Sequence, residues 1–269
     1  MSHDSVLRER DPALEAKVLA GLNGARLGRP VQAFARVTST MEIAHELAAN
    51  GAPEGALVWA ARQEQGRGRL GRTWASPEGG AYFSLILRPV RPLTEIPQLS
   101  LVAGLSAAEA IRELTGLTAS IRWPNDLLLD GKKVCGILVE SKNGAVVIGV
   151  GVNIATDSRD LPPTATSLIA DSSHSSLVTR HSSLAYALTG ALCRRFQRWY
   201  DVWSAEGFAS IREALRPWIG LFGHPVHITA GTTRLEGTAA DLDEQGRLVV
   251  RLDSGILRPF DVGEVTLLQ

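Results

Sequence analysis

Two glycine turns inside a run of strand-forming residues constrain the fold of this chain most strongly. Asp130-Gly131 and Asn143-Gly144 separate three apolar segments, at 127–129, 133–140 and 145–152. Both dipeptides are typical of two-residue hairpin turns, because glycine and the residue before it tolerate positive φ angles there. The middle of the chain is therefore predicted to form an antiparallel meander, which rules out an all-helical fold.

Helical and strand patterns surround this meander. Helices are predicted at 11–22, 38–50, 98–114, 184–203 and 208–215, further strands at 56–62, 81–88 and 120–123, and loops at 63–76 and 162–176. Ser39 and Glu42 fit the S-x-x-E capping box at the start of the second helix. The fold class is therefore predicted to be α+β, with a mixed β-sheet flanked by helices.

The pattern changes after Pro217. Short strands are predicted at 225–229, 233–240, 247–252 and 256–260, with glycine turns between them. About 50 residues of such strands are typical of a small β-barrel. We therefore divide the chain into an N-terminal extension at 1–30, a large domain at 31–219 and a small C-terminal domain at 220–269.

Charge and composition exclude several classes of protein. The 28 basic residues balance the 28 acidic ones, whereas a nucleic-acid-binding domain usually has a basic surplus. No apolar run approaches the ~20 residues of a membrane span, and no signal peptide is recognised. Cys135 and Cys193 follow no metal or disulfide spacing. We expect reduced core cysteines, no metal held by protein ligands alone, and a cytoplasmic protein without nucleic-acid or membrane partners.

The segment from Gly66 to Trp74 alternates glycine with arginine between two predicted strands. Its three arginines are Arg67, Arg69 and Arg72. Guanidinium groups bind carboxylates and phosphates, often bidentately, and glycines let a ligand approach the backbone closely. Such a loop can hold two anions together. The alternatives are a solvated flexible loop and an RNA-binding Arg/Gly segment.

A second segment combines Arg122-Trp123-Pro124-Asn125-Asp126 with the Lys132-Lys133 pair. Lysines are rare in this chain, at 17, 132, 133 and 142 only. The Asp130-Gly131 turn folds the two strands together, so Lys133 is expected near Asn125 and Asp126. A lysine there could neutralise a carboxylate and then an acyl phosphate. The alternative is an exposed hairpin with a basic tip.

Two further features are ambiguous from the residues alone. Gly149 and Gly151 alternate with β-branched residues in one strand, so either something flat packs on the backbone or a helix packs closely against it. Ser39-Thr40 is either a plain helix N-cap or a site for a carbonyl or anion at the helix start.

Taken together, these segments resemble the biotin–protein ligases. That family has a Ser-Thr pair opening a helix, a Gly-Arg-Gly-Arg-x-Gly-Arg-x-Trp loop and a Lys/Arg-Trp-Pro-Asn-Asp segment. A Lys-x-x-Gly-Ile-Leu strand and a Gly-x-Gly-x-Asn strand follow in the same order. The resemblance covers about residues 37–168. It implies a catalytic domain like that of class II synthetases, followed by a C-terminal SH3-like barrel.

The resemblance also implies the activity. Biotin is activated with ATP and Mg²⁺ to biotinyl-5′-adenylate. The biotinyl group then passes to a lysine of the biotin carboxyl carrier protein domain of a biotin-dependent carboxylase.

Site residues follow by matching positions in the motifs. The resemblance implies Lys133 and Arg69 as catalytic residues. It implies biotin contacts from Ser39, Thr40, Gln63, Gly66, Arg67, Gly68, Arg69, Lys133 and Gly136, and ATP or adenylate contacts from Arg67, Arg69, Arg72, Trp74, Asn125, Asp126 and Asn153.

The chain departs from the family pattern at Met41, where many members have Asn, and at Arg122, where Lys is more usual. Thirty residues before the catalytic domain are too few for a winged-helix repressor domain, so the short, non-repressor class is expected. Three rival functions stay open: a lipoate–protein ligase, an RNA-binding module and a catalytically silent biotin-binding protein.

Overall fold

The computed structural model describes residues 7–169, 181–230, 233–261 and 263–267. Its larger sheet has eight strands: β1 (Arg8–Arg10), β2 (Val31–Val37), β3 (Leu57–Gln63), β4 (Gly80–Leu87), β5 (Ser120–Arg122), β6 (Asp126–Leu129), β7 (Lys132–Lys142) and β8 (Ala145–Asn153). Their order is β1-β2-β3-β4-β8-β7-β6-β5. Strands β2 and β3 are parallel and the other neighbours are antiparallel, so the predicted mixed sheet is confirmed.

Helices cover both faces of this sheet: α1 (Pro12–Gly21), α2 (Thr40–Ala49), α3 (Leu99–Thr115), α4 (His181–Glu206) and α5 (Ala209–Leu215). Side chains of α2, including Ile43, pack with Val58 and Ile86 on one face. Leu57 and Phe83 face the opposite side and join the core that α1, α3 and α4 cover. Adjacent strand residues thus enter different cores, as the alternation of side chains along a strand requires.

The meander predicted from the two glycine turns is confirmed. Strand β6 pairs with β7 so that Asp126 lies opposite Gly136 and Leu128 opposite Lys133, with a bulge between Leu127 and Leu128. Asp130 and Asn143 have φ angles of 49° and 52°, which are the left-handed values that such turns need.

Two details differ from the prediction, and a third prediction lies partly outside the described residues. Strands β1 and β2 were not predicted, and β2 extends the sheet beyond β3. Ser39 precedes α2 as its N-cap but makes no side-chain cap hydrogen bond, so the capping box is wrong. Of the predicted loop at 162–176, residues 170–176 lie outside the described part of the chain.

The C-terminal region forms a second, five-stranded antiparallel sheet. It contains β9 (Pro225–Ala230), β10 (Thr233–Leu242), β11 (Leu248–Arg251), β12 (Leu257–Phe260) and β13 (Glu264–Leu267), in the order β12-β11-β10-β9-β13. The predicted small β domain is confirmed, and β13 is an addition to it. Trp123 Nε1 donates to Gly246 O at 3.1 Å, and Gln98 Nε2 donates to Gln245 O at 3.2 Å. These bonds tie the turn between β10 and β11 to the residue after β5 and to the residue before α3.

Cys135 and Cys193 are free and fully buried, as predicted for core residues. None of the helices in the described ranges has the length and apolar content needed to cross a bilayer.

Candidate active site

The arginine-rich loop between β3 and β4 folds as a small irregular hairpin. Arg67 forms an antiparallel bridge with Thr73, and Gly68 N donates to Arg72 O at 2.7 Å. At the base of the loop, a Cβ on Gly66 would lie 2.3 Å from Trp74 O. Only glycine fits there, because real Cβ atoms do not approach a carbonyl so closely. The sequence therefore closes this loop back on itself over the sheet.

A ladder of uncharged side chains lies beneath the loop, where α2 meets the sheet. Ser84 Oγ donates to Thr40 Oγ1 at 2.8 Å, and Thr40 Oγ1 donates to Gln63 Oε1 at 3.0 Å. The ladder continues from Gln63 Nε2 to Ser76 Oγ at 2.8 Å. Ser39 Oγ, also buried, has no hydrogen-bond partner among the described residues. This end of the site can bind a neutral polar group with oriented donors and acceptors.

Charged groups occupy the other end of the site. Lys133 Nζ lies 2.6 Å from Asp126 Oδ1, and Arg122 Nη2 donates to Asp126 Oδ2 at 2.7 Å. Asp126 Oδ1 forms only an ion pair, since within the described ranges no donor meets it with hydrogen-bond geometry. The lysine and Asp126 are thus adjacent, as the hairpin predicted.

Arg69 reaches this charged end from the loop. Its Nη1 donates to Asn125 Oδ1 at 2.9 Å, and Asn125 Nδ2 donates to Ile137 O at 3.1 Å. Burial lowers the pKa of Arg69, and the nearby Asp126 carboxylate partly opposes that shift. The guanidinium stays charged, because arginine pKa values lie far above neutral pH. Arg69 and Lys133 therefore supply two positive charges at one end of the site.

The floor between the two ends is made of glycines. Gly136 on β7 is paired with Gly151 on β8, and the indole of Trp74 lies against both. A Cβ on Gly151 would be 2.3 Å from Trp74 Nε1, and one on Gly149 would be 2.6 Å from Met41 Sδ. Both interpretations of the alternating glycines therefore apply, since a flat ring packs on Gly151 and helix α2 packs on Gly149.

Two cavities open on this floor, with volumes of about 50 Å³ and 180 Å³. The first, on the neutral side, is lined by residues including Thr40, Met41 and Gln63. The second, on the charged side, is lined by residues including Arg72, Arg122 and Asp126. Five residues line both cavities: Gly68, Arg69, Trp74, Asn125 and Lys133.

Most of the predicted site residues meet at these cavities, but three stand back from them. Ser39, Gly66 and Asn153 are not among the described residues that line either cavity. Asn153 ends β8, where its Nδ2 donates to Thr166 O at 3.1 Å. Its Oδ1 is buried with no partner in the described part of the chain.

The structure also adds site residues that the sequence reasoning missed. Ser76 and Ser84 extend the neutral ladder, and a lone serine within the apolar strand at 80–87 was the available signal for Ser84. Gly263, Val265 and Thr266 line the second cavity from the C-terminal sheet. No local sequence pattern predicts these three residues, because their position at the cavity depends on how the two sheets pack.

Family models match both parts of the chain. Residues 33–157 match the biotin/lipoate A/B protein ligase family, and residues 221–268 match the biotin protein ligase C-terminal domain. The chain is 34% identical over 254 residues to the bifunctional ligase/repressor BirA of Bacillus subtilis, covering 91% of this chain and 77% of that protein. It is 36% identical to the biotin–[acetyl-CoA-carboxylase] ligase of Paracoccus denitrificans, covering 82% of this chain and 94% of that protein.

Solved structures agree with these matches. The biotin protein ligase of Aquifex aeolicus, solved in complex with biotin and ATP, superimposes with a TM-score of 0.72 at 28% identity. The match covers 90% of this chain and 99% of that one. Together with the similarity to the two bacterial ligases, this establishes that the chain belongs to the biotin–protein ligase family.

Proposed function

We propose that this chain is an ATP-dependent biotin–protein ligase. It activates biotin to biotinyl-5′-AMP and transfers the biotinyl group to a lysine of a biotin carboxyl carrier protein domain. Family membership supports the reaction, and the match to a biotin-specific C-terminal domain favours biotin over lipoate.

One observation carries the proposal: a neutral cavity and a charged cavity share Gly68, Arg69, Trp74, Asn125 and Lys133. Biotin has a neutral ureido ring at one end and a carboxylate at the other. The uncharged ladder from Thr40 to Ser76 suits the ring, whereas Lys133 and Arg69 suit the carboxylate. The carboxylate would then lie where the two cavities meet.

In the first step, a carboxylate oxygen of biotin attacks the α-phosphorus of ATP, and the bond to pyrophosphate breaks. Two anions must approach each other, so their repulsion has to be offset. Lys133 and Arg69 would hold the carboxylate and the α-phosphate together, and Arg72 would hold phosphate in the second cavity. Alignment and charge neutralisation account for catalysis of this kind.

In the second step, the neutral amine of the carrier lysine attacks the acyl carbon of the adenylate. The new amide bond forms, AMP leaves, and the amine proton passes to solvent. Lys133 and Arg69 stabilise the negative charge that develops on the leaving phosphate oxygen. Trp74 and Asn153 are proposed contacts of the adenine, and Ser39, Gly66, Arg67, Gly68 and Gly136 are proposed contacts of biotin.

The residues at the charged end fit a Mg²⁺ ion that arrives with the nucleotide. Mg²⁺ is usually held by one or two carboxylates together with substrate phosphates. Asp126 offers one carboxylate, whose buried Oδ1 lies 2.6 Å from Lys133 Nζ and would exchange that partner for the cation. Within the described ranges, no group of three or more His, Cys, Asp and Glu residues could hold a metal alone. Bound Mg²⁺ would supply charge neutralisation for the departing pyrophosphate.

We further propose that residues 31–219 are the catalytic domain and residues 220–269 an SH3-like domain that completes the nucleotide side of the site. The reaction would take place in the cytoplasm, where ATP and the carboxylase meet. The carrier lysine would enter at the junction of the two cavities.

The test mixes the protein with Mg²⁺, ATP labelled in the α-phosphate, and either biotin or lipoate. We expect labelled biotinyl-adenylate to form with biotin but not with lipoate. When a biotin carrier domain is added, the label should move from the adenylate to AMP. Adenylate formed equally from lipoate would contradict the choice of substrate. No adenylate from either acid would contradict the ligase function.

A further inference from the structure

Glu140, near the end of β7, binds the arginine-rich loop from outside the site. Its carboxylate accepts two hydrogen bonds from Arg67, from Nη2 to Oε1 at 2.7 Å and from Nη1 to Oε2 at 3.1 Å. This is the bidentate geometry in which guanidinium and carboxylate pair most strongly. The loop is thus tied to strand β7 of the larger sheet.

A third element supports the same carboxylate. His45 Nε2, on α2, lies 2.9 Å from Glu140 Oε2 and is positioned to donate to it. The His45 side chain is only 13% exposed, whereas Glu140 is 27% and Arg67 is 41% exposed. The histidine therefore holds the carboxylate from its buried side and leaves the other side to the loop.

We propose that Glu140, held by His45, is a positioning residue that fastens the arginine-rich loop over the biotin cavity through Arg67. Arg67 lines the first cavity. Glu140 and His45 are not among the described residues that line either cavity. Glu140 therefore acts on the ligand only through the loop. The inference rests on the proposed function for the identity of that ligand, while the fastening itself does not depend on it.

The loop needs such a contact because its backbone hydrogen bonds, such as Gly68 N to Arg72 O, join its two sides to each other and do not hold it to β7. Its tip carries Leu70 at φ 56°, a left-handed conformation that is unfavourable for leucine, and this residue is 79% exposed. Gly66, Gly68 and Gly71 add backbone freedom within the same segment. The ion pair of Arg67 with Glu140 and the hydrogen bond of Arg69 with Asn125 are two of the contacts that hold the loop against the sheet.

Because the ion pair of Arg67 with Glu140 is partly exposed, its effect on global stability differs from its effect on local opening of the loop. A half-exposed pair contributes little to global stability. Opening of one loop, however, is a local equilibrium that the pair controls directly. Removing Glu140 is therefore expected to leave the melting temperature nearly unchanged while the loop opens more often.

Limited proteolysis with trypsin measures this opening without any substrate, because the loop contains three arginines. We expect Glu140→Ala to raise the rate of cleavage after Arg69 and Arg72 about five- to tenfold. Arg67→Ala should raise it by the same factor, and the double variant should add nothing further, since both single changes remove one contact.

A matched control removes an ion pair of similar exposure elsewhere. Arg195 donates to Glu113 Oε2 from Nε at 3.2 Å and from Nη2 at 3.0 Å, between α4 and α3. Glu113→Ala should leave cleavage in the loop unchanged. If Glu140→Ala behaves like Glu113→Ala, or if the double variant opens the loop as the product of two independent effects, the fastening role is wrong.

Steady-state kinetics then connect the fastening to the reaction. Glu140→Ala should raise KM for biotin about fivefold with a smaller change in kcat, and Glu140→Gln should restore part of that affinity, because its amide oxygen can still accept from Arg67. Faster loop cleavage with unchanged KM would contradict the positioning role. If the wild-type protein forms no adenylate but Glu140→Ala still increases tryptic cleavage of the loop, the proposed function is wrong. The role of Glu140 in holding the loop is then still supported.

Discussion

The neutral and charged ends of the site differ in how their polar groups are satisfied. At the neutral end, Ser84, Thr40 and Gln63 hydrogen-bond one another in a single donor-to-acceptor direction, and Thr40 and Ser84 are buried. At the charged end, Lys133 and Arg69 are paired with Asp126 and Asn125, which are themselves proposed to contact substrates.

This difference indicates that the neutral end binds its ligand without rearrangement, whereas the charged end must first release its protein partners. The neutral ladder is preformed, so a ligand gains its hydrogen bonds without rearranging it. The charged end has to exchange protein partners for substrate anions. Changes at the neutral end should therefore act mainly on KM for biotin, whereas changes at the charged end should act mainly on kcat.

The largest effect is expected at the charged end. Lys133→Ala should lower the rate of adenylate formation about 10²- to 10³-fold, because one charge that offsets the meeting of two anions is removed. Single-turnover formation of adenylate from labelled ATP measures it. Lys132→Ala is the matched control, since Lys132 is the exposed neighbour on the same strand. Equal losses in the two variants would show that the charge acts at long range and not at the site.

The neutral end should respond in KM instead. Thr40→Val keeps the shape of the side chain but removes the hydroxyl that accepts from Ser84 and donates to Gln63, while Thr40 N still donates to Gln63 Oε1. We expect KM for biotin to rise about tenfold, with little change in kcat, and the free energy of unfolding to fall by about 1–3 kcal/mol. Ser106→Ala removes a buried hydroxyl of α3 whose partner, among the residues that the structure describes, is Val102 O, and it should affect stability alone. A fall in kcat equal to that of Lys133→Ala would remove the distinction between the ends.

The glycine floor between the ends gives a smaller effect. A methyl group at Gly151 would meet Trp74 Nε1 at 2.3 Å, so Gly151→Ala should displace the indole and cost about 1 kcal/mol of stability. Subtracting the spectrum of the matching Trp74→Phe protein isolates the emission of Trp74. In the Gly151→Ala variant this emission should be shifted to the red of its position in the wild type. Gly104→Ala is the control, because its nearest neighbour, Ile121 Cδ1, is 3.6 Å away. Unchanged Trp74 emission would contradict this packing.

The effect that is smallest at neutral pH concerns the strand behind the charged end, and it appears only above pH 9. Burial raises the pKa of the Cys135 thiol from 9.0 to about 12, with Lys133 opposing the shift. A raised pKa means that the folded state holds the proton more tightly, so this contribution to stability is present below pH 9 and is lost as the pH rises from 9 towards 12.

The measurement is chemical denaturation of wild type and Cys135→Ala from pH 8 to 11. Comparing the two isolates Cys135 from Cys193 and Tyr82, whose pKa values burial also raises to about 12. The wild type should lose stability more steeply above pH 9. Identical slopes would mean that the thiolate is accommodated in the folded strand.

Local signals in the sequence predicted the parts of the fold that local physics controls. The Asp130-Gly131 turn fixed which strands pair, and pairing alone brings Lys133 to Asp126. Strand β2 was missed because its residues at 31–37 are too few and too irregular in polarity to stand out before the sheet is assembled.

Features that depend on packing between distant segments could not be predicted. The contact of Arg67 with Glu140 joins residues 73 positions apart, and His45 joins them from a third element. The capping box failed for the same reason, since Ser39 fits the local motif but its hydroxyl makes no cap bond. Met41, a departure from the family pattern, packs against Gly149 once α2 lies on the sheet.

The part of the second cavity formed by β13 has a consequence for the order of events during synthesis. The residues lining the first cavity run only to Gly151, whereas those lining the second run to Thr266. At translation rates of about 5–20 residues per second, the ribosome needs roughly 6–23 s to add the intervening segment. A nascent chain therefore contains every lining residue of the proposed biotin side well before β13 can close the proposed nucleotide side, and we expect adenylate synthesis to begin only after the last strand is made.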